Sequence, residues 1–219
     1  MLKEKINELK KALLESSNLA EKMVRESIQG LLKKDENLLE KVMKKKEPMM
    51  NESEIKIDRM CTNLIARFQP EASYLRTILM VFRINYELER IGDLAVNISE
   101  SARFLIKRPE VKPLIDIPMM ADISMEMLRD SINSFVDIDT EVAKNVLERD
   151  SIVDGLRDQI LRELITFMAA DPSTIERSIH LIRISRNLER IADLSTNICE
   201  DVIFMVEGKI VKHKKDNRI

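Results

Sequence analysis

Two stretches of the sequence carry one pattern: RINYELERIGDLAVNISE at residues 83–100 and RISRNLERIADLSTNICE at residues 183–200. They are identical at 11 of 18 positions, at an offset of 100 residues. Apolar residues in both recur every three or four positions, which is typical of an amphipathic helix. The preceding segments align at an offset of 103, which pairs Glu47 with Asp150 and Asn51 with Asp154. The sequence therefore predicts a duplicated helical unit.

Working outward from these stretches, the periodicity predicts three long helices and one short helix in each unit. In the first unit they are 2–33, a short helix 36–46, 47–68 opened by Glu47-Pro48, and 71–107. In the second unit they are 119–136, a short helix 139–149, 150–170 and 172–206. Three prolines within 108–118 break helices and indicate a linker. We predict an all-α fold of two tandem three-helix bundles, residues 1–107 and 119–207, followed by a basic tail at 208–219.

The composition excludes several classes of protein. Lys and Arg total 36 against 38 Asp and Glu, so the net charge of −2 gives no general attraction to nucleic acid. No segment resembles a signal peptide or a membrane span, and a cytoplasmic location is expected. Cys61 and Cys199 lie within apolar helical patterns without a CxxC motif, and buried, reduced thiols are predicted.

Acidic and amide side chains recur on one face of the predicted helices. On a helix, residues three or four apart share a face, so these oxygen donors are predicted to lie together, away from the core-facing apolar residues. Their oxygens suit Mg²⁺, Mn²⁺ or oxidised iron, and Zn²⁺ less well. In the first unit the candidate metal ligands are Glu47, Asn51, Glu54, Asp58, Glu89, Asp93 and Asn97. In the second unit they are Asp150, Asp154, Glu189, Asp193 and Asn197.

The alternative is that these stripes are solvated helix faces, since Glu4 and Glu8 show the same spacing. Arg90 and Arg186 could also neutralise part of each stripe by surface ion pairs. Oxygen donors recur at the same positions in both copies, whereas a nearby position differs, with Tyr86 in the first copy and Arg186 in the second. This recurrence favours metal binding. We expect metal between the second and third helices of each unit, and tighter binding in the second because it has two aspartates where the first has Glu47 and Asn51.

Catalytic motifs are absent from the sequence. There is no GxxxxGK[ST] or GxGxxG motif for nucleotide binding. His180 and His213 are the only histidines, and the ExxH ligand pair of ferritin-like di-iron bundles is missing. The cysteines lack a histidine partner. We predict a protein that is not an enzyme, and the alternative is a metal-storage protein or a metal-dependent enzyme.

The duplicated motifs resemble the paired signature of the PhoU family. The resemblance lies in ELERIGD at 87–93 with Asn97, and in LERIAD at 188–193 with NICE at 197–200. It extends to RFQPEAS at 67–73, DSIVD at 150–154 and VEGKIVKH at 206–213, and so covers both units. The chain departs from many members in carrying Leu94 and Leu194, where a histidine often follows the motif aspartate.

The resemblance implies two three-helix bundles whose E(D)xxxD motifs bind a multinuclear metal site, with iron among the candidate metals. It also implies a negative regulator of phosphate uptake. The expected partners are the ATPase subunit of the phosphate ABC transporter and the sensor histidine kinase of the phosphate response. We further expect a homodimer that reaches the membrane only through these partners.

Overall fold

A computed structural model describes residues 2–207, and within that range the chain is helical and contains no strand. The basic tail predicted at 208–219 lies outside the described residues. The predicted all-α class is therefore confirmed. The helices are α1 (Leu2–Lys33), α2 (Glu36–Lys41), a π-helical turn (Val42–Lys46), α3 (Glu47–Phe68), α4 (Ala72–Leu105), α5 (Asp116–Asp137), α6 (Thr140–Ala170), a 3₁₀ turn (Pro172–Thr174) and α7 (Ile175–Glu207).

The same turn joins the first two helices of both units. Lys34 and Ile138 adopt left-handed backbone conformations, with φ of 52° and 59°. Each is followed by an aspartate, Asp35 or Asp139, whose carboxylate accepts hydrogen bonds from backbone N–H groups at the start of the next helix. This capping satisfies donors that a helix leaves without partners at its first turn. The duplication therefore extends to the geometry of the turn.

One predicted boundary is wrong. The expected break at Asp150 does not exist, because α6 runs without interruption from Thr140 to Ala170. In the first unit the helical path also continues, but through the π-helical turn Val42–Lys46, which ends two residues before Pro48. Proline lacks a backbone N–H and crowds the preceding turn, and the wider π turn accommodates it. Ser151 stands at the equivalent position and keeps its N–H, so α6 needs no such turn.

The linker also ends earlier than the prolines suggest. Helix α5 begins at Asp116, because Pro118 lies in its first turn, where proline is tolerated. Lys112 in the linker is buried and pairs with Asp116 at 2.6 Å and with Glu163 of α6. This contact holds the linker against the second unit.

Each unit is a three-helix bundle, as the repeat predicts. Helices α1, α3 and α4 pack together, as do α5, α6 and α7. The two bundles also pack on each other, α4 against α7 and α1 against α5, and their buried apolar side chains form one continuous core. Helices α4 and α7 are antiparallel, since Arg83 near the start of α4 meets Asp201 near the end of α7 at 2.8 Å. Within residues 2–207 no helix is both long and apolar enough to span a membrane.

Candidate functional site

A buried amide joins the second and third long helices of the first unit. Asn85 of α4 is 1% exposed, and its Nδ2 donates to the backbone oxygen of Glu54 at 3.0 Å and to Oδ1 of Asp58 at 2.9 Å. Its own Oδ1 is buried and has no hydrogen-bond partner within residues 2–207. The helices also approach closely at Gly92, where a Cβ atom would lie 3.0 Å from Met50 Cγ. These contacts hold the acidic side chains of α3 beside those of α4.

The first acidic face consists of Glu54, Asp58, Glu89 and Asp93. Burial raises the pKa of the Glu54 carboxyl, and the charges of Asp58 and Asp93 raise it further. Burial also raises the pKa of Glu89, and so do Asp93 and Glu54. Arg90 opposes this shift only in part, and its guanidinium binds Glu87 at 3.1 Å. The carboxylates are therefore close enough to repel one another, and a cation would relieve that repulsion.

The second acidic face consists of Asp150, Asp154, Glu189 and Asp193, and an arginine lies against it. Arg157 donates to Glu189 Oε1 at 2.6 Å and lies 3.4 Å from Asp154 Oδ1. It also binds Asp158 at 2.9 Å. At the offset of 103 residues, Arg157 stands in the place of Glu54, and Leu161 in that of Asp58. This face therefore already has a positive charge of its own, which argues against the tighter metal binding that the sequence predicts here.

The other predicted ligands are more scattered. Glu47 is half-buried and Asn51 is exposed in the first turns of α3, whereas Asp150 is buried. Asn97 lines a groove facing α7, and Asn197 is exposed on α7. In residues 2–207 no group of three or more His, Cys, Asp or Glu side chains is arranged so that it could hold a metal ion. A charge shifts a neighbouring pKa over a longer distance than the length of a metal–oxygen bond. The carboxylates of the first acidic face are therefore close enough to shift pKa values, but their side chains would have to rotate to coordinate an ion.

Two residues of the candidate site, Asn85 and Arg157, are not among the residues predicted from the sequence. Asn85 lies one helical turn before Glu89, and nothing in the sequence shows that it reaches α3. Arg157 could have been found from the repeat, since the offset of 103 that pairs Asn51 with Asp154 also pairs Glu54 with Arg157. Comparing the charges of all repeat-related positions would have exposed the difference between the two faces.

Both cysteines are buried, as predicted. Burial is the main cause that raises the pKa of each thiol, Cys61 and Cys199, to about 12. They stay protonated at neutral pH and are therefore poor nucleophiles and poor metal ligands. The ring of His180 stacks on Phe104 with 3.9 Å between the ring centres. These groups belong to the packing of the bundles.

The PhoU domain model matches the chain twice, at residues 13–102 and 117–202, one match in each bundle. The chain belongs to the PhoU family. The phosphate-specific transport system accessory protein PhoU homolog of Aquifex aeolicus is 39% identical over 209 residues, which cover 95% of this chain and 94% of that protein. PhoU homolog 2 of Thermotoga maritima is 34% identical, with 97% and 90% covered.

The fold is also that of a solved PhoU. The crystal structure of PhoU from Pseudomonas aeruginosa superposes with a TM-score of 0.90 at 31% identity, covering 95% of this chain and 100% of that one. This similarity confirms the family resemblance and the tandem-bundle fold.

Proposed function

We propose that the chain is a regulatory adaptor of phosphate uptake and phosphate signalling, and not an enzyme. The observation that carries this proposal is the similarity to accessory proteins of phosphate-specific transport along 95% of the chain. The adaptor acts as a negative regulator in the cytoplasm, where it connects the ATPase subunit of the phosphate transporter to the sensor histidine kinase. It reaches the membrane through these partners.

The surface of α4 supports a role in protein contacts. Leu79, Phe82 and Tyr86 recur at helical spacing, and each side chain is 45% exposed or more. Large apolar side chains exposed in one stripe are typical of surfaces that bind other proteins. The second unit has the aliphatic residues Ile179 and Ile182 in place of Leu79 and Phe82, but it has Arg186 in place of Tyr86, so only the first unit presents aromatic side chains here.

We also propose that the first acidic face binds a hard divalent cation or oxidised iron. Glu54, Asp58, Glu89 and Asp93 would supply carboxylate oxygens, and the buried Oδ1 of Asn85, which lacks a hydrogen-bond partner, would supply an amide oxygen. The ion would neutralise the carboxylates whose charges, together with burial, raise the pKa of Glu54 and of Glu89. Its role would be to hold α3 against α4, since the proposed ligands come from both helices.

The regulatory role is tested by deleting the gene in its own host. In phosphate-rich medium we expect phosphate-starvation genes to be expressed several-fold above the parent strain, and a plasmid copy to restore repression. Unchanged expression in the deletion strain would contradict the proposal.

The partner is tested by retention of the transporter ATPase on the immobilised full chain. Phe82→Ala/Tyr86→Ala is expected to weaken retention about tenfold, since aromatic side chains dominate many interfaces. Ile165→Ala/Phe167→Ala, which removes exposed apolar side chains from α6, is the matched control and should bind normally. Equal retention by all three proteins would exclude this stripe as the contact.

A further inference from the structure

A polar groove lies between α4 and α7, away from the acidic faces. Its volume is about 350 Å³, which is within the range of small-molecule sites. Among the described residues, no aromatic or aliphatic side chain lines it. The lining residues are Asn97, Glu100 and Ser101 from α4 and Arg183, Arg186, Asn187 and Arg190 from α7.

Positive charge dominates the groove. Arg183, Arg186 and Arg190 lie at i, i+3 and i+7 on one face of α7, and all three are exposed. Across the part of the chain that the structure describes, none of the three forms an ion pair. Glu100 is the one carboxylate among the lining residues. Three guanidinium groups therefore face one carboxylate.

The repeat shows that this imbalance is specific to one copy. At positions 100 residues away, Arg83 pairs with Asp201 at 2.8 Å and Arg90 pairs with Glu87 at 3.1 Å. In the groove, Ser101 stands in place of Asp201 and Asn187 in place of Glu87.

The third arginine adds to the difference. Arg186 stands where the other copy has Tyr86. Both acids that pair with Arg83 and Arg90 are thus replaced in the groove by neutral side chains that can form hydrogen bonds. Arg186 adds a further positive charge to the groove.

We propose that this groove binds a small phosphate-type anion with more than one phosphate group. Guanidinium groups bind phosphate oxygens by paired, charge-assisted hydrogen bonds, and the amides of Asn97 and Asn187 can donate as well. Residues i and i+7 of a helix lie about 10 Å apart, which is longer than a single phosphate. The groove offers no aromatic surface for a nucleobase and no apolar pocket to anchor an acidic peptide.

The test is calorimetric titration of the full chain with tripolyphosphate, orthophosphate and ATP. EDTA is present throughout, so that metal on the acidic faces cannot mediate binding, and NaCl is about 50 mM to limit screening. Tripolyphosphate is expected to bind with Kd below about 1 mM, and orthophosphate more weakly. ATP should bind no more tightly than tripolyphosphate, because only its phosphates meet the groove.

Variants assign the binding to the groove. Arg183→Gln/Arg186→Gln should raise the Kd for tripolyphosphate about tenfold or more. Asn187→Glu, which restores the acid of the other copy, should weaken binding in the same direction. The matched control, Arg83→Gln/Arg90→Gln, should change Kd less than about twofold, because those arginines are already paired. Circular dichroism checks that each variant is folded.

Several results would overturn the proposal. One is no tripolyphosphate binding below about 1 mM. Another is equal weakening by the two arginine pairs, which would reflect net charge alone. ATP binding much tighter than tripolyphosphate would mean that a base is recognised. None of these results bears on the regulatory role or on metal, so the proposals fail independently.

Discussion

The acidic faces of the two bundles occupy equivalent positions and differ in how their charge is balanced. In the first bundle Glu54, Asp58, Glu89 and Asp93 lie together, and the pKa values of Glu54 and Glu89 are raised. In the second bundle, Arg157 stands at the repeat position that Glu54 has in the first bundle, and it contacts Glu189. The helical framework is thus the same in both bundles, while Arg157 and Leu161 stand where the first face has Glu54 and Asp58. Because the guanidinium of Arg157 already supplies positive charge to the second face, we expect that face to gain less from an external cation than the first.

The largest expected effect is on metal content. Glu89→Ala/Asp93→Ala should lose most of the bound metal, whereas Glu189→Ala/Asp193→Ala should lose little, because Arg157 already neutralises the second face. Elemental analysis of protein purified without chelator measures this, and circular dichroism confirms that helix content is retained. Greater loss from the second pair would restore the order expected from the sequence.

The next effect is on stability, and it follows from reversing the charge at the position where the two faces have Glu54 and Arg157. In EDTA, Arg157→Glu should lower the free energy of unfolding by about 1–2 kcal/mol, since a partly exposed arginine with several carboxylate partners is replaced by another carboxylate. Mg²⁺ or Mn²⁺ should restore part of this loss. Urea unfolding with and without the metal measures both changes.

The reciprocal variant sharpens the comparison. Glu54→Arg should raise the free energy of unfolding in EDTA by up to about 1 kcal/mol and abolish stabilisation by metal in the first bundle. If both variants changed stability in the same direction, the charge at this position would not explain the difference between the faces.

The last comparison concerns Asn85, the residue that joins α3 and α4. Asn85→Ala removes two hydrogen bonds to α3 and should lower the free energy of unfolding by about 1–2 kcal/mol. The matched control is Ser185→Ala, because Ser185 is equally buried but donates only to Ile182 of its own helix at 2.9 Å. That control should cost less than about 0.5 kcal/mol. Thermal unfolding of the two variants gives the comparison, and equal losses would show that the bond across the helices adds nothing.

Part of the candidate site could be predicted from the sequence. Helical periodicity puts Glu89 and Asp93 on one face, as it does Glu54 and Asp58, because residues four apart on a helix are neighbours. It does not show which face of α3 meets which face of α4. Asn97 shows the limit, since it continues the stripe of Glu89 and Asp93 in sequence yet lines the groove facing α7.

The sequence by itself was enough to predict the helices, the internal repeat and the family. Apolar spacing, capping aspartates and prolines act within a few residues, so they can be interpreted without a structure. Tertiary structure alone decided how the two bundles share a core, that Arg157 reaches Glu189, and that three arginines of α7 face a groove with one carboxylate. These features depend on distances between helices far apart in sequence, and charge balance is set by those distances.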